Sequence, residues 1–404
     1  MLSPFMGAPL GVCNCDWLAR SACAGEPLYR EHDGKHYCVF HFPGTEKSAP
    51  FYQAMQRKLS RDDYNFSGVF FPDPVFFTED FKKVANFSSA TFRQEANFAT
   101  AVFNEGADFS NVTFKAKATF FNVTFKADAI FNYTVFNDGA DFTYSTFEAM
   151  ASFLFTVFKD QVRFAGDTER KVFSKQSWLN LQESIFEKPE RVALHTLTLR
   201  PHFFLSVDAR KFEFINVEWS GSLGEEIEKA SAFVSSPHRL LSITCRQLAV
   251  NAEENHRYEE ASRFRYMAMN ARRLESHRGF APWQLSWWYW LASGYGERIP
   301  RAIAVLIGLW LLFALLYTQV GFVRWEPRRS NEKEAMIEAR DEVGEPLNRP
   351  RARALTYSLG VMMLQKPEPR PATMAAQGFV ILETILGLVQ AALIALAIRR
   401  KFMR

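Results

Sequence analysis

The chain has 404 residues, with 48 Lys plus Arg against 44 Asp plus Glu and a formal net charge of +4. That length exceeds one ordinary domain. So small a charge excludes a partner held by field alone, and no nucleic-acid partner is expected. Phenylalanine stands out at 40 residues.

The first apolar stretch, Met1 to Val12, lacks a basic leader, so no secretory signal is expected. Val12 is a poor residue before Cys13 for lipoprotein cleavage. Residues 1–60 form a Cys/His-rich head. It carries Cys13, Cys15, Cys23 and Cys38 together with His32, His36 and His41. Cys38 and His41 make a Cys-x-x-His pair, a spacing that lets two ligands converge on one metal, and Cys15 and Cys23 would complete a tetrahedral structural zinc site. The other reading is a set of reduced, half-buried thiols in a cytosolic protein. Both readings stand at the level of sequence.

Residues 61–220 are dominated by a repeat. Phenylalanine recurs at alternating steps of six and five, from Phe70, Phe76, Phe81, Phe87 and Phe92 through to Phe164. An eleven-residue period also suits a right-handed helical supercoil. On a helix, however, steps of five and six rotate by roughly 140° and 240°, which scatters the rings over separate faces. Two residues before each Phe sits a small side chain, such as Ala85, Ala90, Ala96, Ala101 and Val112. Positions i and i−2 share a face only in an extended chain. Between them stand mostly polar residues, such as Asn86, Thr91, Asn97 and Asp108. Each half-repeat therefore reads as a short strand and a corner.

The stretches Ala96-Asn97-Phe98, Ala107-Asp108-Phe109 and Ala140-Asp141-Phe142 resemble the Ala-(Asp/Asn)-(Leu/Phe)-x-x unit of the pentapeptide-repeat family. The resemblance implies a right-handed quadrilateral β-solenoid. The alternate six-residue steps depart from the strict unit and leave two corners open. Tyr37-Cys38-Val39-Phe40-His41 resembles the head of many membrane-linked members of that family. Some members are acidic rods that imitate duplex DNA. Here, between Phe81 and Phe164, eight basic residues face eight acidic ones, so no one-sign field exists to do that. The segments His195–Pro201, His202–Asp208 and Phe212–Trp219 read as wider strands capping the rod.

Residues 221–280 read as a helical hairpin, with Asn255-His256-Arg257 as its turn. Its second helix carries Arg265, Arg272, Arg273 and Arg278. This face is either solvated or rests on anionic lipid. Residues 281–404 read as a membrane domain. Trp283, Trp287, Trp288, Tyr289 and Trp290 suit a membrane interface. Spans are expected at about 302–323 and 373–398, with a short re-entrant run from Ala354 to Leu364 between them. That order resembles the two-transmembrane pore module of potassium-type channels, but Gln365-Lys366-Pro367-Glu368-Pro369-Arg370-Pro371 stands where a glycine filter belongs. Gly294-Tyr295-Gly296 precedes the first span and reads as a loop.

Glu383 lies inside the second span, with Gln390 on roughly the same face and Gly387 nearby. An intramembrane carboxyl reads as a helix–helix hydrogen bond holding a homo-oligomer, or as part of an ion path; the first is preferred. No catalytic constellation is visible, so an enzyme is not expected. The reading is a bacterial inner (cell) membrane protein with both termini cytoplasmic, displaying its solenoid as a binding or sensing scaffold for an unknown protein partner. The basic tail Arg399-Arg400-Lys401 agrees with that orientation, whereas the basic inter-span loop argues against it. The alternative is a homo-oligomeric ion channel of altered filter, gated by the solenoid.

Overall fold

Four ladders of phenylalanine rings run up the inside of a four-sided solenoid. In the computed structural model they are Phe66–87–109–131–153, Phe71–92–114–136–158–186, Phe77–98–120–142–164 and Phe81–103–125–147–173. Successive rings lie 4.3 to 5.6 Å apart, near-parallel. Parallel strands of two to four residues form the sides, paired at a repeat of one coil: Ala107 with Ala129, Phe114 with Phe136, Ala118 with Ala140, Phe125 with Phe147. The longest of the four sheets has seven strands. The structure describes residues 13–15, 22–23, 26–167, 172–174, 177–276, 282–320, 322–323, 350–365, 370–371 and 374–402. The chain divides into two units, Met1–Arg257 and Tyr258–Arg404.

The small residues two before each Phe are buried, as the extended register requires. Where one is a hydroxyl, it donates to a Phe carbonyl of the coil before: Thr134 to Phe109 at 2.5 Å and Thr156 to Phe131 at 2.7 Å. A buried hydroxyl without such a partner would cost about 1–3 kcal/mol.

The alternating steps have a local cause. The five-residue steps turn through a left-handed residue: Ser89, Thr100, Asn111, Asn122, Tyr133, Tyr144 and Phe155 have φ between 55° and 65°. An Asx turn precedes several of them, with Asn86 Oδ1 accepting from Ser88 N at 2.9 Å and Asp108 Oδ1 from Ser110 N at 2.9 Å. The six-residue steps instead pass through polar linkers such as Arg93-Gln94-Glu95.

The first coil departs from the expected register. Phe76 is 63% exposed and Phe70 only half-buried, while Phe71 and Phe77 are fully buried. The step from Phe77 to Phe81 is one residue shorter than that from Phe98 to Phe103, although Phe81 still pairs with Phe103. A shift of one residue turns a strand's side chains to the opposite face.

Both ends of the rod are covered. At the start, helix α1 (Ser48–Leu59) sets Phe51 against Phe71, 5.4 Å between ring centroids, and against Phe40 at 5.6 Å. At the far end stand α2 (Leu223–Ser231) and α3 (Pro237–Glu254). Asn251 of α3 donates to the carbonyls of Ala209, Arg210 and Phe212, at 3.3, 2.9 and 2.7 Å. One amide thus serves three backbone acceptors that no further coil would reach. His202–Phe204, expected as strand, forms a 3-10 turn opened by Pro201. His202 is buried there, its Nδ1 2.7 Å from Glu226 of α2.

In the second unit, α4 (Tyr258–Ser276) and α5 (Leu285–Ser293) precede α6 (Ile299–Val320), α7 (Pro350–Met362) and α8 (Met374–Phe402). The helices expected as one hairpin, α3 and α4, thus fall on either side of the boundary between the units. Ile299–Gln319 and Met374–Arg400 are long and apolar enough to cross a membrane. Helix α7 has 13 residues, about 20 Å at 1.5 Å per residue, short of a ~30 Å hydrocarbon core. The inter-span cations from Arg324 to Arg349, and Arg278, lie outside the described residues.

Candidate functional site

In the head, an antiparallel hairpin of Leu28–His32 and Lys35–Cys38 ends at a turn that carries His41. Asn14 is fastened to the hairpin by a reciprocal pair: its N–H donates to His36 O at 2.7 Å, and His36 N–H donates to Asn14 Oδ1 at 2.8 Å. That brings Cys13 beside Cys38, whose N–H donates to Cys13 Sγ at 3.1 Å. Cys38 Sγ lies 3.1 Å from His41 Nδ1. On the other edge of the ring, His41 Nε2 meets Ser67 O at 3.0 Å. Ser67 O is an acceptor, so Nε2 carries a proton, and once the second ring proton is lost the Nδ1 lone pair faces the sulfurs. Metal-binding imidazoles are oriented in this way.

The ligand atoms of Cys13, Cys15, Cys23 and His41 lie within 4.8 Å of one another, a group able to hold a metal ion. Of the residues expected from the spacing, Cys15, Cys23 and His41 fall in this group; Cys38 is not in it, but its Sγ lies 3.1 Å from His41 Nδ1. Cys13, which the spacing argument left out, joins them. The thiols share charge unequally. Contacts from the Cys23 and Cys38 side chains hold Cys13 far below the ordinary thiol range. Burial raises Cys15, and the contact with Cys13 raises Cys23 and takes Cys38 to about 12. Burial opposes charge on His41, but contacts with Cys13 and Cys23 outweigh it and raise His41 to about 9.

Lys47 lies behind this cluster and is fully buried. Its ammonium donates to Phe40 O at 2.8 Å and faces the rings of Phe51 and Phe70, at 4.9 and 5.3 Å. Burial lowers it to about 7, against the opposing pull of Cys38. An unfolded lysine keeps its proton to about 10.4. Between pH 7 and that value the unfolded state binds more protons, so stability rises with pH across the window. Below pH 7 the full cost of burying the charge is present. Lys47→Met is therefore expected to stabilise the head at pH 6.5, with the gain fading towards pH 10. Phe40 O keeps the Phe70 N–H at 3.0 Å. Urea midpoints of wild type and variant across pH read this; a gap that does not shrink refutes it.

Along the rod, two corners carry outward rings. Tyr133 and Phe155 stack at 5.1 Å, and Phe121 meets Tyr144 edge-on at 5.5 Å. All four are exposed. Tyr133, Tyr144 and Phe155 hold left-handed φ, a conformation uncommon for bulky residues. The equivalent corners of earlier coils hold Ser89, Thr100, Asn111 and Asn122.

The four-ladder core, with Ala-Asn-Phe and Ala-Asp-Phe stretches at its sides, has a known counterpart. The family model for pentapeptide repeats, in nine copies, matches residues 80–124. Residues 80–124 are pentapeptide repeats. No curated protein and no solved structure matches the chain. The ladders extend the geometry of the pentapeptide-repeat segment in both directions, to Phe66 and to Phe186.

Beyond the pentapeptide-repeat rod, the second unit holds its own buried polar group. Glu383 of α8 is fully buried. It accepts from Tyr317 Oη of α6 at 2.7 Å and from Ser358 Oγ of α7. Ser358 Oγ also lies 3.2 Å from Trp310 O, and Trp310 Nε1 donates to Leu355 O at 2.9 Å. The hydrogen bonding expected to join copies is thus made within one chain, because both carboxyl oxygens meet donors on neighbouring helices. Gln390 does not share that network. It donates to Ala292 O at 2.8 Å and Ala302 O at 2.7 Å, tying α8 to α5 and α6. A Cβ on Gly387 would stand 3.5 Å from Met362, so α7 packs closely there. Glu297 receives Arg265, Arg400 and Ser262, so one arginine of the basic helix serves an internal ion pair. Glu383→Gln is expected to keep the fold of this unit, since an amide still accepts. Glu383→Leu leaves Tyr317 Oη without its acceptor and should cost about 1–2 kcal/mol. Thermal melting in detergent compares the two, and equal midpoints would discount the network.

Proposed function

We propose that the chain is a bacterial inner-membrane protein whose pentapeptide-repeat rod is a cytoplasmic binding or sensing scaffold for a protein partner. In this reading both termini are cytoplasmic, α6 and α8 are the anchor, and the head is braced by one structural zinc ion. The observation that carries the scaffold reading is the Tyr133–Phe155 stack. These rings are exposed, so they add nothing to the core, and they occupy left-handed corners that Asn would fill at lower cost. Rings kept on a surface against their backbone preference support a recognition role.

The test is a Tyr133→Asn, Phe155→Asn double variant. Its thermal midpoint should hold or rise, because Asn suits the left-handed region. Cross-linking from residue 144 to a partner in native membranes should fall. A lower midpoint would make the stack structural and remove its support for a scaffold.

A second reading, a homo-oligomeric ion channel gated by the rod, is favoured by one feature. Met362 at the end of α7 lies beside Gly387 of α8. Arg370–Pro371, just before α8, pairs with Phe322–Val323, just after α6. Met362 and Pro371 are thus separated by some thirteen residues' length of α8, about 20 Å. That separation supports a re-entrant reading. Ion conductance by the purified protein in planar bilayers, absent in empty bilayers, would favour this reading over the scaffold.

A further inference from the structure

Five donors crowd the head, and a tetrahedral zinc ion takes four. We infer that the ligands are Cys13, Cys23, Cys38 and His41, and that Cys15 stands outside the coordination sphere. This assignment rests on the metal reading above and goes beyond it, since the spacing of the sequence selects Cys15 instead of Cys13.

Three observations separate Cys13 from Cys15. First, Cys38 and His41 already converge from one turn, Sγ to Nδ1 3.1 Å, and both are buried. Any ion seated there must find its other ligands next to that pair. Cys13 is next to it, because Cys38 N–H donates to Cys13 Sγ at 3.1 Å. An N–H aimed at a sulfur favours the thiolate, which is the form that binds metal. Second, Cys23 reaches the same point, since its Sγ falls within 4.8 Å of the Cys13 and His41 ligand atoms. Third, Cys15 Sγ turns to the Cys13 carbonyl, 3.9 Å away, and meets Cys23 Sγ at 3.7 Å. Its hydrogen-bond-range contacts lie on the Cys13–Cys23 edge, although its Sγ is still within 4.8 Å of the His41 ligand atom. The Asn14–His36 pairing explains the difference, since it locks the chain between the two cysteines and seats only the first against Cys38.

The full-length chain, purified in detergent without chelators, is expected to carry about one zinc per chain. Cys15→Ala should keep that stoichiometry. With Co(II) in place of zinc, it should also keep the wild-type thiolate-to-cobalt absorption band. Cys13→His and Cys38→His each keep a donor. They should retain cobalt while losing one of three thiolates' share of the band. X-ray absorption on the unmodified zinc protein gives a check that needs no variant: three sulfurs at about 2.3 Å and one nitrogen at about 2.0–2.1 Å. A weakened band in Cys15→Ala beside an unchanged band in Cys13→His overturns the assignment and leaves the metal reading standing. Four sulfurs without nitrogen also overturn it. A wild-type protein that takes up neither zinc nor cobalt defeats the metal reading itself, and the assignment with it.

Discussion

Phe120→Asp is expected to unfold the rod. Phe120 is fully buried, with ring centroids 4.9 Å from Phe98 and from Phe142, and edge contacts to Phe109 and Phe131 at 5.5 and 5.4 Å. Removing a core ring alone costs about 3–5 kcal/mol. An unpaired carboxylate in its place adds several kcal/mol. That sum is comparable to the whole stability of an ordinary domain, about 5–15 kcal/mol. The rings packed around it, Phe98, Phe109, Phe131 and Phe142, offer a carboxylate no charged partner. Replacing the outward Thr119 by Asp is expected to change stability little. Circular dichroism melts of the two variants decide the matter. Similar midpoints would mean that the inward register assigned to the ladder is wrong.

If the head holds the proposed zinc ion, removing that metal is expected to be the second large effect. Structural zinc supplies about 10–16 kcal/mol of apparent binding energy in small zinc-finger peptides. The head is tied to the rod through the Phe40–Phe51–Phe71 contacts. A chelator should therefore release the head first and expose the start of the rod. Limited proteolysis is expected to cut near the hairpin and α1 after chelation, while the central coils stay resistant. The effect should grow as the pH falls, because protons compete with metal for the thiols. An unchanged digest in chelator would leave the head held by α1 packing alone.

Much of the rod was legible because its cause is local. Alternation in an extended chain places Phe and the small residue two before it on one face, whatever lies elsewhere. Buried Ala85, Ala96 and Ala118 follow from that rule, as do the four ring ladders. The first coil escaped it, since one missing corner residue before Phe81 is invisible to a period count when Phe70-Phe71 and Phe76-Phe77 both offer a ring. The left-handed corners were equally hidden. Asn111 and Asn122 advertise such a position, but Tyr133 and Phe155 do not.

The candidate sites divide in the same way. Cys38 and His41 lie three residues apart, so their convergence is a property of one turn and could be read from spacing. Cys13 lies 25 residues from Cys38, and the pairing of Asn14 with His36 together with the Cys38 N–H bond to Cys13 Sγ sets it there. The sequence marked Glu383 because a carboxyl in an apolar span is costly anywhere. Its partners, Tyr317 and Ser358, lie 66 and 25 residues away, and ordinary hydroxyls carry no signal of their own. By itself, then, the sequence determined the repeat, the inward register of most coils, the apolar spans and the residues too polar or too reactive for their setting. The tertiary structure alone decided which groups face one another, because hydrogen bonds and ligand geometry depend on distances through space that no period along the chain encodes.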